Sequence, residues 1–236
     1  NNEYRVGLTP ESVKALKACN HDIFIQQGAG SAIGFLDSDY IESGAQILES
    51  AAEVFAASEL IVKVKEPMPS ELGYLNSSHT LFTYLHLAGD PKQAHALIKT
   101  GVTGIAYETV TSDSGALPLL APMSAIAGQL SIVVGSYHLL KQNKGRGTLI
   151  GSFGDLDPRV VTVIGAGVAG TEAIQKAIEN NAYVKIIDLS EKRLNALKAI
   201  YGFKNIEYIQ STEEAIADAL SVSDLVIGSV YVVGKQ

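Results

Sequence analysis

The residues best suited to chemistry in this sequence form a glycine-rich turn between two apolar runs. The first run, residues 160–164, is β-branched throughout, and the turn reads GAGVAG, with glycines at Gly165, Gly167 and Gly170. A helix-like segment comes next, and a second apolar run closes on Asp188. Strand, glycine turn, helix, strand and acid in this order are typical of a βαβ unit that binds a dinucleotide.

Each residue of this motif has a physical role in such a unit. Gly165 permits the tight turn, Gly167 lets the backbone approach a pyrophosphate, and Gly170 lets the helix pack against the strand. The helix N-terminus adds free N–H groups and a positive dipole end. The Asp188 carboxylate can accept hydrogen bonds from the adenosine ribose and would repel a 2′-phosphate, which favours NAD over NADP. The alternative is a βαβ unit in which the glycine turn is purely structural. The presence of both strands and the acid in register favours dinucleotide binding over that alternative.

Three titratable residues, Lys65, His86 and Glu108, each come just after the end of a predicted strand. The carboxyl ends of parallel strands meet at one edge of an open sheet, and that edge carries ligand sites. Lys65 could instead be a solvated loop lysine, and His86 a satisfied core histidine. Glu108 could be a helix-capping or solvent-facing acid. We favour a functional role for Lys65 and His86 and leave Glu108 open.

The elements that must position these residues alternate between strand-like and helix-like segments. Thr9 and Pro10 suit the cap and the first position of the first helix. The predicted strands are residues 22–26, 45–48, 60–64, 80–84, 103–107, 160–164, 183–188, 206–209 and 225–227, and the predicted helices outside the glycine motif are residues 10–20, 38–44, 51–57, 91–99, 122–142, 191–201 and 212–220. The pattern predicts an α/β fold of two Rossmann-like domains, with parallel sheets and flanking helices, in which the second domain and both chain ends are incomplete.

Composition and charge argue against several classes of protein. The 236 residues are 47% hydrophobic and 18% charged, as in soluble globular proteins. The net charge is −7 and no basic stripe occurs, so nucleic acid and anionic membranes are poor partners. The lone Cys19 excludes an internal disulfide and a cysteine-based metal site, and no other metal-ligand cluster is recognisable. No apolar stretch is long enough to span a bilayer and no signal peptide is recognisable, so a cytoplasmic location fits.

Several stretches resemble alanine dehydrogenase, the NAD-dependent enzyme that interconverts L-alanine and pyruvate and belongs to one family with pyridine nucleotide transhydrogenase. The matching stretches are NNEYRV at 1–6, VKVKEP at 62–67, LFTYLHLA at 81–88, AYETV at 106–110, LPLLAPMS at 117–124, the glycine turn, and DLVIG at 224–228. They span essentially the whole chain and are specific in combination. The soluble nucleotide-binding part of proton-translocating transhydrogenase shares the RV-x-x-TP and glycine-turn features but lacks the YLHLA segment, which favours the dehydrogenase.

The resemblance implies roles for individual residues. Arg5 would hold the carboxylate of pyruvate or alanine, for which its planar fork is suited. Lys65 would contact the carbonyl region of the substrate and take part in catalysis with His86. His86 would be the general acid and base, since an imidazole with the usual pKa near 6.5 can exchange protons with a carbinolamine or imine. The family's NAD-contacting positions correspond to Ser124, Asp188, Arg193, Ser211, Val230 and Tyr231, in addition to the glycine turn.

The same resemblance implies the domain organisation and the partners. Residues 1–118 would form the substrate and catalytic domain, without an N-terminal strand and a C-terminal return, and residues 119–236 an incomplete NAD-binding Rossmann domain. A longer C-terminal continuation would supply a catalytic Asp, so a chain of this length alone is expected to be defective in turnover. The family forms homohexamers that act on alanine, pyruvate and ammonium. The alternatives are the soluble domain of a transhydrogenase and an inactive NAD-binding fragment.

Overall fold

The structure is a computed structural model that describes residues 3–230. The chain divides into two compact units, the first ending at Leu119 and the second beginning at Leu120. Both units are α/β structures whose sheets are parallel, which confirms the fold class predicted from the sequence. Among the residues described, none of the helices combines the length and the apolar character that a membrane crossing requires.

The first unit contains two small parallel sheets. Its strands are Phe24–Gln26 (β1), Gln46–Leu48 (β2), Leu60–Val62 (β3), Thr80–Thr83 (β4) and Thr103–Ala106 (β5), and its α-helices are Pro10–Ala18 (α1), Asp37–Glu42 (α2), Ala51–Ala57 (α3) and Pro91–Thr100 (α4). β1 pairs with β2, and β4 lies between β3 and β5, with Leu81 opposite both Ile61 and Gly104. Because every pair is parallel, the carboxyl ends of β3, β4 and β5 lie at one edge of their sheet.

Caps in the sequence determine where the helices of this unit begin. The Thr9 hydroxyl accepts a hydrogen bond from the Ser12 N–H at 3.2 Å, immediately before α1. Ser50 and Glu53 form a reciprocal capping box at α3. Asp90 caps α4, and proline occupies the start of both α1 and α4. Losing one such cap typically costs about 1 kcal/mol, so these short helices depend on them.

Two apolar clusters form the core of the first unit. One lies against β3, β4 and β5 and includes Phe55, Leu81 and Leu97. The other lies against β1 and β2 and includes Val13 and Tyr40, both with no exposed surface. The buried phenol of Tyr40 donates to the Leu8 carbonyl at 2.9 Å, so its polar atom is satisfied inside the core.

The second unit is a four-stranded parallel sheet with helices connecting successive strands. It contains Ala121–Leu139 (α5), Val160–Ile164 (β6), Val168–Glu179 (α6), Tyr183–Asp188 (β7), Glu191–Tyr201 (α7), Ile206–Gln210 (β8), Glu213–Val222 (α8) and Leu225–Gly228 (β9). The strand order is β8-β7-β6-β9, the order of a mononucleotide-binding half with the next strand added beside β6. Val161 and Val163 on β6 and Val184 and Ile186 on β7 are fully buried, as expected for strands covered on both faces.

Helix α5 approaches α6 through a glycine. A Cβ atom on Gly128 would lie 2.1 Å from the Ala169 carbonyl oxygen and 2.8 Å from the Glu172 Cβ. Beside this contact, the Gln129 side-chain amide donates to the Glu172 carboxylate at 2.8 Å. Only a residue without a side chain permits this approach, so Gly128 fixes the distance between α5 and the first turn of α6.

The structure corrects some of the predicted boundaries. The five strands of the first unit are shorter than predicted (22–26, 45–48, 60–64, 80–84 and 103–107). Isolated ladder hydrogen bonds continue beyond some of them, such as the bond from the Tyr84 N–H to the Val64 carbonyl at 3.2 Å. The helix predicted over 122–142 ends at Leu139, because Leu140 is extended and residues 141–143 form a 3-10 turn. Helix α4 continues to Thr100 because Gly101 supplies the left-handed cap, with φ of 73°.

Candidate functional site

The glycine turn after β6 has the geometry that the sequence predicts. Gly165 has φ of 91°, a left-handed conformation that favours glycine, and its N–H donates to the Ile187 carbonyl at 2.7 Å. Gly170 is buried, and a Cβ atom there would lie 1.9 Å from the Gly165 carbonyl oxygen. The first and third glycines therefore allow the turn and the close packing of α6 against it.

Gly167 differs from the other two glycines in facing open space. It is the N-cap residue of α6, no side chain caps the helix there, and a Cβ atom on it would meet nothing within 4 Å. The first turn of α6 therefore presents N–H groups and the positive end of the helix dipole to an unobstructed, exposed surface. This arrangement fits a pyrophosphate group, which needs backbone donors and close approach.

Asp188 lies at the end of β7, where the sequence predicts the ribose acceptor. In the structure its Oδ2 accepts a hydrogen bond from the Ala166 N–H at 2.7 Å, and its Oδ1 accepts one from the Ser190 N–H at 2.7 Å. A carboxylate has about four acceptor positions, so these two bonds leave capacity for ribose hydroxyls. Asp188 therefore combines a structural contact to the glycine turn with the predicted acceptor position.

Three further side chains hold the turn. Arg193, predicted to contact the cofactor, donates from Nε to the Ala166 carbonyl at 2.8 Å and from Nη2 to the Thr171 hydroxyl at 2.6 Å. Thr171 donates to the Gly167 carbonyl at 2.7 Å, and Ser229 donates to the Gly165 carbonyl at 2.7 Å. Sequence reasoning missed Thr171 and Ser229. Thr171 could have been found as a hydroxyl directly after the third glycine, whereas nothing local marks Ser229.

The remaining predicted cofactor residues that the structure describes lie at different places in the second unit. Ser211 follows β8, and its N–H donates to the Asp188 carbonyl at 3.0 Å, so the structure brings these two together. Val230 is exposed just after β9, the strand that pairs with β6. Ser124 lies in the first turn of α5. Tyr231 falls outside the described residues. The cofactor roles of all four stay predictions.

In the first unit, the loops that follow β3, β4 and β5 carry Lys65, His86 and Glu108. The Thr83 hydroxyl, at the end of β4, donates to the Lys65 carbonyl at 2.8 Å, and the Tyr84 N–H donates to the Val64 carbonyl at 3.2 Å, which joins the first two loops. Glu108 accepts from the backbone N–H of His86 at 2.7 Å, which joins the second and third. The structure thus places the three predicted residues on adjoining loops of one sheet edge. His86 is exposed, which removes the interpretation of this residue as a core histidine.

Arg5 and Lys65 line one groove of about 830 Å³ in the first unit. Arg5 donates from Nε and Nη2 to the two carboxylate oxygens of Glu3, at 2.8 and 2.7 Å. The Arg5 hydrogen bond lowers the pKa of Glu3 to about 2, and the same bond raises the pKa of the guanidinium. The fork of Arg5 is therefore fixed in direction by a neighbouring carboxylate, and this groove gathers two of the predicted substrate residues.

A buried ion pair shapes the loop that carries Lys65. The Lys63 ammonium lies 2.5 Å from Oε2 of Glu71, and the same oxygen accepts the Met68 N–H at 2.7 Å. Glu71 is buried and Lys63 is partly buried, so the pair is partly shielded from water. The bond joins the beginning and the end of the segment from Lys63 to Glu71 and thereby restricts the conformations open to Lys65.

Aromatic rings pack behind the turn that carries His86. Tyr107 makes edge contacts with Phe82 and Tyr84, at ring-centroid distances of 4.3 and 4.9 Å. The imidazole of His86 stacks on Tyr84 with centroids 5.9 Å apart and planes 11° from parallel. The Tyr84 hydroxyl donates to the Leu119 carbonyl at 2.5 Å, which anchors the ring that supports the imidazole.

We expect Tyr107 to ionise far above the usual range. Burial of its phenol, assisted by Tyr84, raises the pKa of Tyr107 from 10.0 to about 12. Because the folded state holds this proton more tightly than the unfolded state, the free energy of unfolding should fall as pH rises from about 10 to about 12. Tyr107→Phe should remove one phenolate's absorbance change near pH 12 and flatten that fall. If Tyr107→Phe instead removed an absorbance change near pH 10, the raised pKa of Tyr107 would be wrong.

Comparison with known proteins assigns matches to both units. Residues 1–127 match the family model for the alanine dehydrogenase/PNT N-terminal domain, and residues 131–236 match its C-terminal domain. An alanine dehydrogenase of Methanococcus maripaludis is 42% identical over 236 residues, which are 100% of this chain and 63% of that relative. A solved L-alanine dehydrogenase is also 42% identical, with a TM-score of 0.91 over 100% of this chain and 65% of that one.

A more distant structure shares the fold. The transhydrogenase from Sinorhizobium meliloti superposes with a TM-score of 0.81 at 23% identity, over 99% of this chain and 68% of that one. The match at this identity concerns the fold alone. The chain spans less than two-thirds of the length of the dehydrogenases that it matches.

Proposed function

Because the chain belongs to the alanine dehydrogenase/PNT family, we propose that the full-length protein containing it catalyses NAD-dependent oxidative deamination of L-alanine to pyruvate and ammonium, and the reverse reductive amination. A nicotinamide cofactor is implied by the family and by the Rossmann-type fold; NAD is the narrower proposal. One observation supports the proposed reaction most directly. Lys65 and His86 lie on adjoining loops at one sheet edge of the first unit, and the second unit of the same chain presents an open glycine turn.

The first unit supplies the groups that would handle the substrate. Arg5, aligned by Glu3, would hold the substrate carboxylate, and Lys65 in the same groove would polarise the carbonyl oxygen. His86 would give a proton to that oxygen or take one from it as the carbinolamine forms and collapses. The nicotinamide, when bound, supplies the hydride chemistry at the substrate carbon. Residues 1–118 would thus be the substrate domain and residues 119–236 the cofactor domain.

One assay tests the proposal. The full-length protein should oxidise NADH only when both pyruvate and ammonium are present. Oxidation independent of ammonium would reject amination of pyruvate. Hydride transfer between two nicotinamide dinucleotides without pyruvate would indicate the transhydrogenase function. NAD binding without any turnover would indicate an inactive binding protein.

We also propose that the full-length protein is cytoplasmic and forms a homohexamer. Sedimentation of the full-length protein would test the hexamer.

We expect Asp188→Ala to relax the choice of cofactor. The carboxylate would repel the 2′-phosphate of NADP, so its removal should lower the ratio of kcat/KM for NAD to that for NADP by about tenfold or more, equivalent to ~1.4 kcal/mol. The ratio is measured with both cofactors under identical conditions. Because Asp188 also accepts the Ala166 and Ser190 N–H groups, the same variant should lose some stability.

Asp188→Asn is the matched variant for that experiment. It removes the charge but keeps one carbonyl oxygen for the backbone donors, so it should change the cofactor ratio in the same direction with a smaller loss of stability. An unchanged ratio in both variants would exclude Asp188 from the ribose site.

A further inference from the structure

The turn that carries His86 is anchored by a carboxylate from the next strand. Oε1 of Glu108 accepts hydrogen bonds from the N–H groups of Leu85 and His86, at 3.1 and 2.7 Å. Oε2 accepts a further bond from the Leu85 N–H at 3.2 Å. Both N–H groups lie just past the end of β4, where the sheet ladder no longer supplies partners. One side chain therefore satisfies two consecutive backbone donors.

The backbone at His86 needs such an anchor. His86 has φ of 48°, in the left-handed region that residues with a side chain seldom adopt. A conformation of this kind persists only when its surroundings hold it in place. The His86 carbonyl accepts the Gly89 N–H at 3.0 Å, which closes the turn on the other side. The backbone conformation in turn directs the imidazole onto the Tyr84 ring.

We propose that Glu108 is a positioning residue that holds His86 in its working conformation. Its carboxylate is directed at backbone donors, so it acts by fixing the peptide that carries the imidazole, and His86 itself exchanges the proton. The charge strengthens all three hydrogen bonds, because a carboxylate acceptor binds N–H groups more strongly than a neutral amide does. The catalytic part of this inference rests on the role proposed above for His86.

The first test measures the position of the imidazole without using activity. In the full-length protein labelled with ¹³C-histidine, the His86 ring signal is identified as the one that His86→Ala removes. Stacking on Tyr84 should displace this signal from that of a solvated histidine. Glu108→Ala should move it toward the solvated value, whereas Glu42→Ala, which removes an exposed carboxylate from α2, should leave it in place. A His86 signal unchanged by Glu108→Ala would overturn the proposal.

The second test uses turnover in the assay proposed above. Glu108→Ala should lower kcat by about 10²-fold, the loss expected when a catalytic group is displaced by about 1 Å. Glu108→Gln, which keeps a neutral acceptor, should lower kcat by only about fivefold. The dissociation constant for NADH should be the same in the parent and in both variants, because that site belongs to the second unit.

The double variant separates positioning from a general loss of structure. If Glu108 acts through His86, adding Glu108→Ala to His86→Ala should lower kcat no further. If the loss of kcat in the double variant equalled the product of the two single losses, the proposal would be overturned. Parental kcat in both Glu108 variants would also overturn it. If Glu108→Ala fails to fold, Glu108→Gln gives the decision. A fivefold loss of kcat and a displaced ring signal would support positioning. Parental kcat together with an undisplaced ring signal would refute it. Full turnover by His86→Ala alone would instead reject the proposed role of His86, and the ring signal would still report on Glu108.

Discussion

His86→Ala in the full-length protein is expected to lower kcat for ammonium-dependent NADH oxidation by about 10²- to 10⁴-fold, the usual contribution of a general acid and base. The imidazole is exposed, stacks on Tyr84 and lies at the sheet edge next to the loop of Lys65. Because the imidazole itself is exposed, its removal should change the stability of the folded state little. Steady-state kinetics at saturating pyruvate, ammonium and NADH, with a thermal unfolding curve, measure both effects.

Lys65→Ala is the companion variant and should also suppress turnover. Its ammonium is exposed in the groove that Arg5 lines, so its removal should lower kcat without changing the dissociation constant for NADH. Lys14→Ala removes an exposed lysine from α1 and should leave kcat at the parental value. If either His86→Ala or Lys65→Ala weakened NADH binding while keeping normal turnover at saturation, the assignment of that residue to the substrate would be wrong.

Two glycines three residues apart should respond to alanine in opposite ways. At Gly170 a methyl group would lie 1.9 Å from the Gly165 carbonyl and 2.7 Å from the Ser229 hydroxyl. The clash is with a main-chain carbonyl, which cannot move without distorting the turn. Gly170→Ala should therefore lower the free energy of unfolding by about 3 kcal/mol or more. At Gly167 the methyl group meets nothing within 4 Å, and Gly167→Ala should change stability by less than about 1 kcal/mol.

Dinucleotide binding distinguishes the same two variants. The methyl group of Gly167→Ala would stand in the open space before the first turn of α6, where the pyrophosphate is proposed to lie. The affinity for NADH should therefore fall at least about tenfold, equivalent to ~1.4 kcal/mol, in a protein with normal stability. Titration of NADH fluorescence and denaturant unfolding provide the two measurements. Parental affinity in Gly167→Ala would place the pyrophosphate elsewhere.

Much of the fold was predictable because its signals are local. The bounds of α3 and α7 coincide with those expected from the sequence, since Ser50 and Ser190 cap their first turns and Gly202 follows the second helix. The strands and glycines from residue 160 to Asp188 were predictable for the same reason, as periodicity and turn chemistry act over a few residues. The strand ends were less accurate, because pairing at Lys63 and Val64 continues only as isolated hydrogen bonds.

The candidate site was predictable in its position but not in its supports. The order of strands places Lys65 and His86 at one sheet edge, and the structure adds the contacts between their loops. The carboxylates that fix these loops were not predicted: Glu71 pairs with Lys63 across a gap of 8 positions, and Glu108 bonds to a peptide 22 positions away. No local pattern specifies such a partner. The same reason explains why Ser229, which contacts the glycine turn from the position directly after β9, was missed.

The first turn of α6 makes two close contacts, each at a glycine. Gly128 brings the α5 backbone against Ala169, and Gly170 packs the same helical turn against the Gly165 carbonyl. Neither gap has space for a methyl group, so we expect α6 to keep its position when a ligand binds. We expect a phosphate-bearing ligand to meet a preformed surface there, and its shape and charge, without rearrangement of this helix, to determine selectivity.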